Sequence, residues 1–338
     1  MKKLISLICV LAMVLALAAC GSSAPAAATE APAASTEAPD EDVSADKTFV
    51  VGICQLVQHP ALDAATQGFK DALTEALGDK VTFQEQNASG DSATCSLICN
   101  QFVSDEVDLI MANATASIQA AASATNTIPI LGTSITDYGV ALGVDNWTGV
   151  SGTNISGTSD LAPLDGQAAM IQELFPDAKT IGLLYCSGEP NSIFQADSME
   201  ALLTDMGYSV ERYTFADSND VSSVTANACS NADVLYIPTD NTAASCTEAI
   251  NNVALSAGIP IVAGEEGLAS GCGVATLSIS YYDLGRATGE MAAEILTEGA
   301  DVSTMEVRFA PAFTKEYNAD ICETLNITVP EDYIAIAK

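Results

Sequence analysis

Six short stretches of this 338-residue chain concentrate the side chains that could do chemistry. They are Gln55 to Asp63, Asn113 to Ala116, Thr133 to Asp137, Ser187 to Ser192, Pro238 to Asn241, and Gly264 to Gly267. Each is rich in small and polar residues, and each follows a short apolar run. Several open a helix, where backbone N–H groups without intrahelical partners attract a carboxylate. Ser, Thr and Asn also cap helices, so each residue taken singly has a purely structural use. Six such loops at one edge of a fold would together make a surface that holds a small polar molecule.

Bond-making chemistry has much less to draw on. His59 is the only histidine, and 11 basic residues face 44 acidic ones. There is no G-x-G-x-x-G opening a helix, no P-loop, and no G-x-S-x-G elbow. The one S-x-x-K match, Ser44 to Lys47, lies in a low-complexity stretch. Without a C-x-x-C pair or a second histidine, a metal site is not expected. Glu265 and Glu266 form an acidic pair, but neighbours in sequence need not face one site, so a carboxylate-only hydrolase is the lesser alternative. The chain is therefore read as a binding protein, not an enzyme, with no catalytic residue, metal or cofactor. A formal charge of −33 excludes nucleic acid and anionic lipid surfaces as natural partners.

The elements that must position these loops alternate regularly. Phe49–Ile53, Val81–Phe83, Asp108–Met111 and Pro129–Leu131 are short apolar runs that read as strands, with an extended piece at Val150–Ile155. Helical spacing fills the intervals at Ala61–Leu77, Asp91–Val103 and Ala116–Ala124. A second series follows a helix over Asp165–Leu174. Strands at Thr180–Tyr185, Ser209–Tyr213, Val234–Ile237, Pro260–Ala263 and Val274–Ile279 alternate with helices at Ser192–Met206, Val221–Cys229 and Ala243–Ala257, and Asp283–Leu296 closes it. Such alternation predicts an α/β protein of two similar doubly wound parallel-sheet lobes. Right-handed crossovers put the strand-to-helix loops at one edge, and ligands bind beyond the carboxyl ends of the strands. A cleft between the lobes is the expected site.

The first residues give the location. Lys2 and Lys3 precede an apolar run from Leu4 to Leu17, and Leu17-Ala18-Ala19-Cys20 closes it. This is a secretory signal over residues 1–19 with a cysteine at the cleavage point, the pattern of a bacterial lipoprotein acylated at Cys20. The run is too short to span a bilayer as a mature helix. Residues 20–47 are mostly Ala, Pro, Ser, Thr and Glu, and read as a disordered tether. The expected location is the extracytoplasmic face of the cell membrane, held by lipid alone. Of the remaining cysteines, most are expected to serve as small core residues.

Five stretches carry a resemblance. Ile53 to Asp63, Thr133-Ser134-Ile135-Thr136-Asp137, Ser187 to Ser192, Pro238-Thr239-Asp240-Asn241 and Tyr281-Tyr282-Asp283-Leu284-Gly285 resemble the ABC-transporter substrate-binding proteins of the tryptophan/tyrosine-binding group. The likeness spans nearly all of residues 48–338. It implies a type 1 periplasmic-binding protein whose two lobes close on a solute, here an aromatic amino acid. The lobes would comprise 48–157 with 281–304, and 158–280 with 305–338. The crossing segments near Ser156–Asp160, Ser278–Asp283 and Met305–Ala310 would be hinges. Partners would be an ABC permease with its cytoplasmic ATPase, and the protein would act as a monomer. A signalling receptor that presents bound ligand is the alternative within the same architecture.

The resemblance also implies roles for a zwitterionic ligand. Asp240 would take the ammonium, with Asp137 as the alternative. Thr115 and the N–H groups of residues 114–116, beginning at Ala114, would hold the carboxylate, a task that Ser134 and Thr136 could share. Gln55, Ser187, Asn191, Ser192 and Asn241 would add polar contacts. His59, Leu62 and Leu161 would face the ligand side chain. Glu189 and Glu265 would suit a cationic group.

Overall fold

The computed structural model describes residues 47–337. The export signal, Cys20 and nearly all of the tether lie outside the described residues. Chain order begins β1 (Phe49–Gln55), α1 (Pro60–Leu77), β2 (Val81–Asn87), α2 (Ser92–Ser104), β3 (Leu109–Asn113), α3 (Thr115–Ala124), β4 (Ile130–Ile135), α4 (Tyr138–Leu142) and β5 (Ile155–Ser159). It continues with α5 (Leu164–Leu174), β6 (Thr180–Cys186), α6 (Pro190–Asp205), β7 (Ser209–Phe215), α7 (Val221–Cys229), β8 (Val234–Ile237), α8 (Asn241–Ala244), α9 (Thr247–Ala257), β9 (Ile261–Ala263), α10 (Glu266–Gly271) and β10 (Ala275–Ser278). Then come α11 (Tyr281–Glu298), β11 (Arg308–Phe309), β12 (Thr314–Tyr317), α12 (Ala319–Leu325) and β13 (Ile334–Ala335).

These strands form two sheets, ordered β11-β5-β4-β3-β1-β2 and β13-β12-β10-β9-β8-β6-β7. The first is parallel throughout. In the second, only the β10–β12 pair is antiparallel. Strand order 2-1-3-4-5 in one sheet repeats as 7-6-8-9-10 in the other, so the two α/β lobes are structural copies. Central strands are buried along their whole length, as in Leu109–Asn113 and Ile130–Ile135, because helices cover both faces. That burial explains why they read in sequence as continuous apolar runs rather than alternating ones.

The chain passes between lobes three times, after β5, after β10 and after β11. Helix α11 leaves the second sheet and packs on α1 of the first lobe. Glycines permit that approach. A Cβ on Gly68 would sit 2.0 Å from the Tyr282 carbonyl oxygen, and one on Gly285 would sit 2.0 Å from that of Ala65. Six of the eight described cysteines are buried and all eight are free thiols, so the expected use of most of them in the core holds.

Several boundaries differ from the expected ones. The extended piece at 150–155 becomes a strand at Ile155–Ser159, whose polar residues are nonetheless all buried. The single helix over 243–257 is two, broken at Ser245 and Cys246. Sheet pairing puts Thr158 and Ser159 in the first sheet, and joins Arg308–Phe309 to them as β11. Residues 308–309 therefore belong with the first lobe, not the second, and the third passage starts after Phe309. The physical reason is that a two-residue edge strand carries no periodicity of its own.

Candidate ligand-binding site

A small cavity lies between the lobes, at the carboxyl ends of both sheets. His59, Leu62, Ser134 and Thr136 line it from the first lobe. Asn191, Thr239, Asp240, Asn241, Ala244 and Glu265 line it from the second, and Asp160 and Tyr281 from two of the crossings. Strand order turns back at β1/β3 and at β6/β8, and the loops after β1 and β8 and the first turn of α6 reach this cavity, as expected of a topological switch point.

Local chemistry explains how the loops are held. The β1–α1 loop is tied by Gln55, whose Nε2 donates to Asp63 Oδ1 (2.7 Å) and whose Oε1 accepts from the Thr66 hydroxyl (2.7 Å). Asn113 Nδ2 donates to Leu62 O at 2.9 Å. Pro60 at the first turn of α1 suits a helix start, which leaves His59 as the extended residue before it. Across β4 the register against β5 shifts between Gly132 and Ile135, and Ser134 takes a left-handed φ of 56°. A bulge of this kind re-aims a side chain beside a site. The Tyr138 hydroxyl pins it, 3.0 Å from Gly132 O and 3.2 Å from Thr158 O.

Three carboxylates on the cavity wall are buried. Asp240 caps α8: Oδ1 accepts from Ala243 N (2.8 Å) and Oδ2 from Cys186 N (2.7 Å). Glu265 caps α10, accepting from Gly267 N and Leu268 N, both at 2.5 Å. Asp160 differs. Its Oδ2 accepts from the Tyr281 hydroxyl at 2.9 Å, while its Oδ1 is buried with no hydrogen-bond partner. Burial raises the pKa of all three. For Asp240 the nearby Glu189 adds to the rise, and Glu265 is pushed to about 7. For Asp160 the Tyr281 hydroxyl offsets part of the burial effect, with a smaller pull from nearby Thr136, whose hydroxyl makes no hydrogen bond to Oδ1.

Two more buried atoms on the same wall lack partners, Ser134 Oγ and His59 Nδ1. Buried polar groups are normally paired, so three orphans around one cavity mark a place built for a polar guest. Burial also lowers the His59 pKa, against the pull of Asn241, Glu189 and Asp63. His59 Nε2 lies 3.3 Å from Asn241 Oδ1, a direct link between the lobes. Among the described residues no Lys or Arg lines the cavity.

Of the residues singled out in the sequence, His59, Leu62, Ser134, Thr136, Asn191, Asp240, Asn241 and Glu265 are brought together here. The others lie outside the lining. Gln55 braces its loop, Asp137 caps α4 through Val140 N (2.7 Å), and the Ser187 hydroxyl donates to Phe215 O (3.2 Å). Thr115 is buried at the start of α3 behind Ala114, Leu161 is half-buried in the crossing, and Ser192 Oγ accepts from Asn191 Nδ2. Glu189 accepts from Asn241 and Thr242 instead of facing the cavity. Asp160, Thr239, Ala244 and Tyr281 complete the wall without having been anticipated. Tyr281 opens the Tyr281 to Gly285 stretch and Thr239 sits beside Asp240, so both lay within reach; Asp160 and Ala244 had no comparable signal.

Residues 50–338 match the family model described as ABC transporter substrate binding protein. A Clostridioides difficile (strain R20291) protein named tyrosine-binding protein is 40% identical over 260 residues, covering 76% of this chain and 75% of its own. Among solved structures, an ABC domain from Streptococcus pneumoniae in complex with L-Trp is 32% identical, with a TM-score of 0.80 over 84% of this chain and 97% of its own. The ligand-free, open structure of a substrate-binding protein with adhesive properties from Clostridium difficile is 37% identical, over 86% of this chain and 100% of its own, yet its TM-score is only 0.66. The more similar sequence gives the poorer superposition, so the lobes here are arranged more like the ligand-bound structure than the open one.

Proposed function

This chain belongs to the ABC transporter substrate-binding protein family, and from that premise we propose that it captures an aromatic amino acid outside the cytoplasmic membrane and delivers it to a permease driven by a cytoplasmic ATPase. The observation that carries this reading is the inter-lobe cavity with an unpaired carboxylate oxygen on Asp160. An ammonium group there would satisfy Oδ1 with a charge-assisted hydrogen bond, the strong kind. Asp240, with both oxygens already accepting backbone N–H groups, has less to offer. The ligand carboxylate would face the neutral donors Ser134 and Thr136. Leu62 and Ala244 supply the apolar wall for a ring. The relatives named for tyrosine and solved with L-Trp support the aromatic class.

The protein acts as a monomer, acylated at Cys20 and held to the membrane through that lipid. Its three crossings serve as hinges, and closure is favoured because the ligand contacts both lobes only in the closed state. The test is a thermal-shift screen of residues 46–338 against amino acids, followed by calorimetry. A ligand at a hundredfold excess over its Kd stabilises by about 2.7 kcal/mol. No shift with tryptophan, tyrosine or phenylalanine would sink the aromatic assignment. Turnover of any ligand would overturn the receptor reading.

A further inference from the structure

The only histidine of the chain sits where groups away from the ligand dictate its protonation pattern. Glu189 accepts from Asn241 N (3.0 Å), Asn241 Nδ2 (2.7 Å), Thr242 N (2.8 Å) and the Thr242 hydroxyl (2.7 Å). Backbone N–H groups can only donate, so both Glu189 oxygens are acceptors here, and they hold the Asn241 amide with nitrogen toward Glu189 and oxygen toward His59. That oxygen lies 3.3 Å from His59 Nε2 and can only accept, so Nε2 carries the proton. Burial favours the neutral ring. A neutral ring protonated at Nε2 leaves Nδ1 with a bare lone pair, and Nδ1 is buried without a partner in a ring that lines the cavity.

We propose that His59 Nδ1 accepts a hydrogen bond from the ligand side chain, so that the cavity selects aromatic amino acids whose rings carry an N–H or O–H, tyrosine and tryptophan, over phenylalanine. This rests on the reading of the ligand as an aromatic amino acid. Asp160 provides for the ammonium from the crossing after β5, whereas His59 stands on the β1–α1 loop, against Asn241 of the opposite lobe. A ring without a donor would leave Nδ1 buried and unpaired, a penalty that corresponds to about 10–100-fold weaker binding. Glu189 and Asn241 act as positioning residues that fix the tautomer.

A single histidine makes the test direct. In protein labelled with ¹⁵N in the imidazole, both ring-nitrogen signals belong to His59. At neutral pH the protein closed on an aromatic amino acid should show the tautomer protonated at Nε2, because only the closed form holds His59 against Asn241. Tyrosine and tryptophan should shift the Nδ1 signal as it accepts a hydrogen bond, and phenylalanine should not. A tyrosine-bound protein protonated at Nδ1, an imidazolium in that complex at neutral pH, or equal affinity for phenylalanine and tyrosine would overturn the proposal. If none of the three amino acids binds, this proposal and the aromatic reading fall together; equal binding of all three removes this one alone. Glu189→Gln offers an amide that no longer orients Asn241 uniquely. It should mix the tautomers and shrink the preference for tyrosine over phenylalanine. A uniform loss of affinity for all three with the tautomer unchanged would refute the positioning role.

Discussion

Three carboxylates line the cavity, and only Asp160 has an oxygen to spare. Asp240 attracts notice in sequence because it follows a strand and precedes a helix, and those same features make it a cap. Asp160 follows Ile155-Ser156-Gly157-Thr158-Ser159, where nothing apolar beyond Ile155 announces a strand, so its place at a strand's carboxyl end could not be read. The two residues should separate experimentally. Asp160→Asn keeps the shape and the contact with Tyr281 but removes the charge. It should weaken amino-acid binding by roughly 2–5 kcal/mol. The free protein should melt no lower, because an unpaired buried carboxylate is itself costly. Asp240→Ala should instead lower the melting temperature through the lost cap, about 0.5–2 kcal/mol. Calorimetry and melting of both variants check this, and the reverse pattern would return the ammonium to Asp240.

At the scale of elements, legibility followed hydrophobic content. β1, β3 and β4 are buried on both faces and announced themselves as apolar runs. β5 is equally buried but built of Ser, Gly and Thr, and β11 spans only two residues. The polar loops after β1, β4, β6, β8 and β9 were legible as a group. Their division into braces, caps and cavity wall was not, since one Asp or Ser serves any of these with the same sequence signature. The α1–α11 contact was likewise invisible, because helical periodicity says which face is buried but not against what. It can be tested through Gly68. The atom facing its would-be Cβ, the Tyr282 carbonyl oxygen at 2.0 Å, is backbone and cannot swing aside. Gly68→Val should destabilise by about 1–3 kcal/mol or more in urea unfolding. Gly188→Ala, whose Cβ would meet only Cys186 Sγ at 3.7 Å, should stay within about 0.5 kcal/mol. Equal effects would mean that the two helices are not in the close contact described.

For the whole molecule, the repeated strand–helix series foretold two copies of one lobe and a cleft between them, while the exchange points of the chain depended on short strands that only pairing reveals. Closure then follows from what the cavity buries. Without a guest, the closed arrangement leaves Asp160 Oδ1, Ser134 Oγ and His59 Nδ1 unpaired. Each such group costs about 1–3 kcal/mol. An opened cleft returns all three to water, and little beyond the His59–Asn241 contact at 3.3 Å is lost from the wall itself. The empty protein should therefore favour the open form, with the ligand shifting the balance by pairing those atoms in the closed form alone. Small-angle scattering should record a smaller radius of gyration when tyrosine or tryptophan is added. Asp160→Asn, which relieves the costliest orphan, should make the ligand-free protein more compact than the wild type under the same conditions. If radii are identical with and without a ligand that calorimetry shows to bind, the crossings are not hinges and the solute enters a cleft that never opens widely.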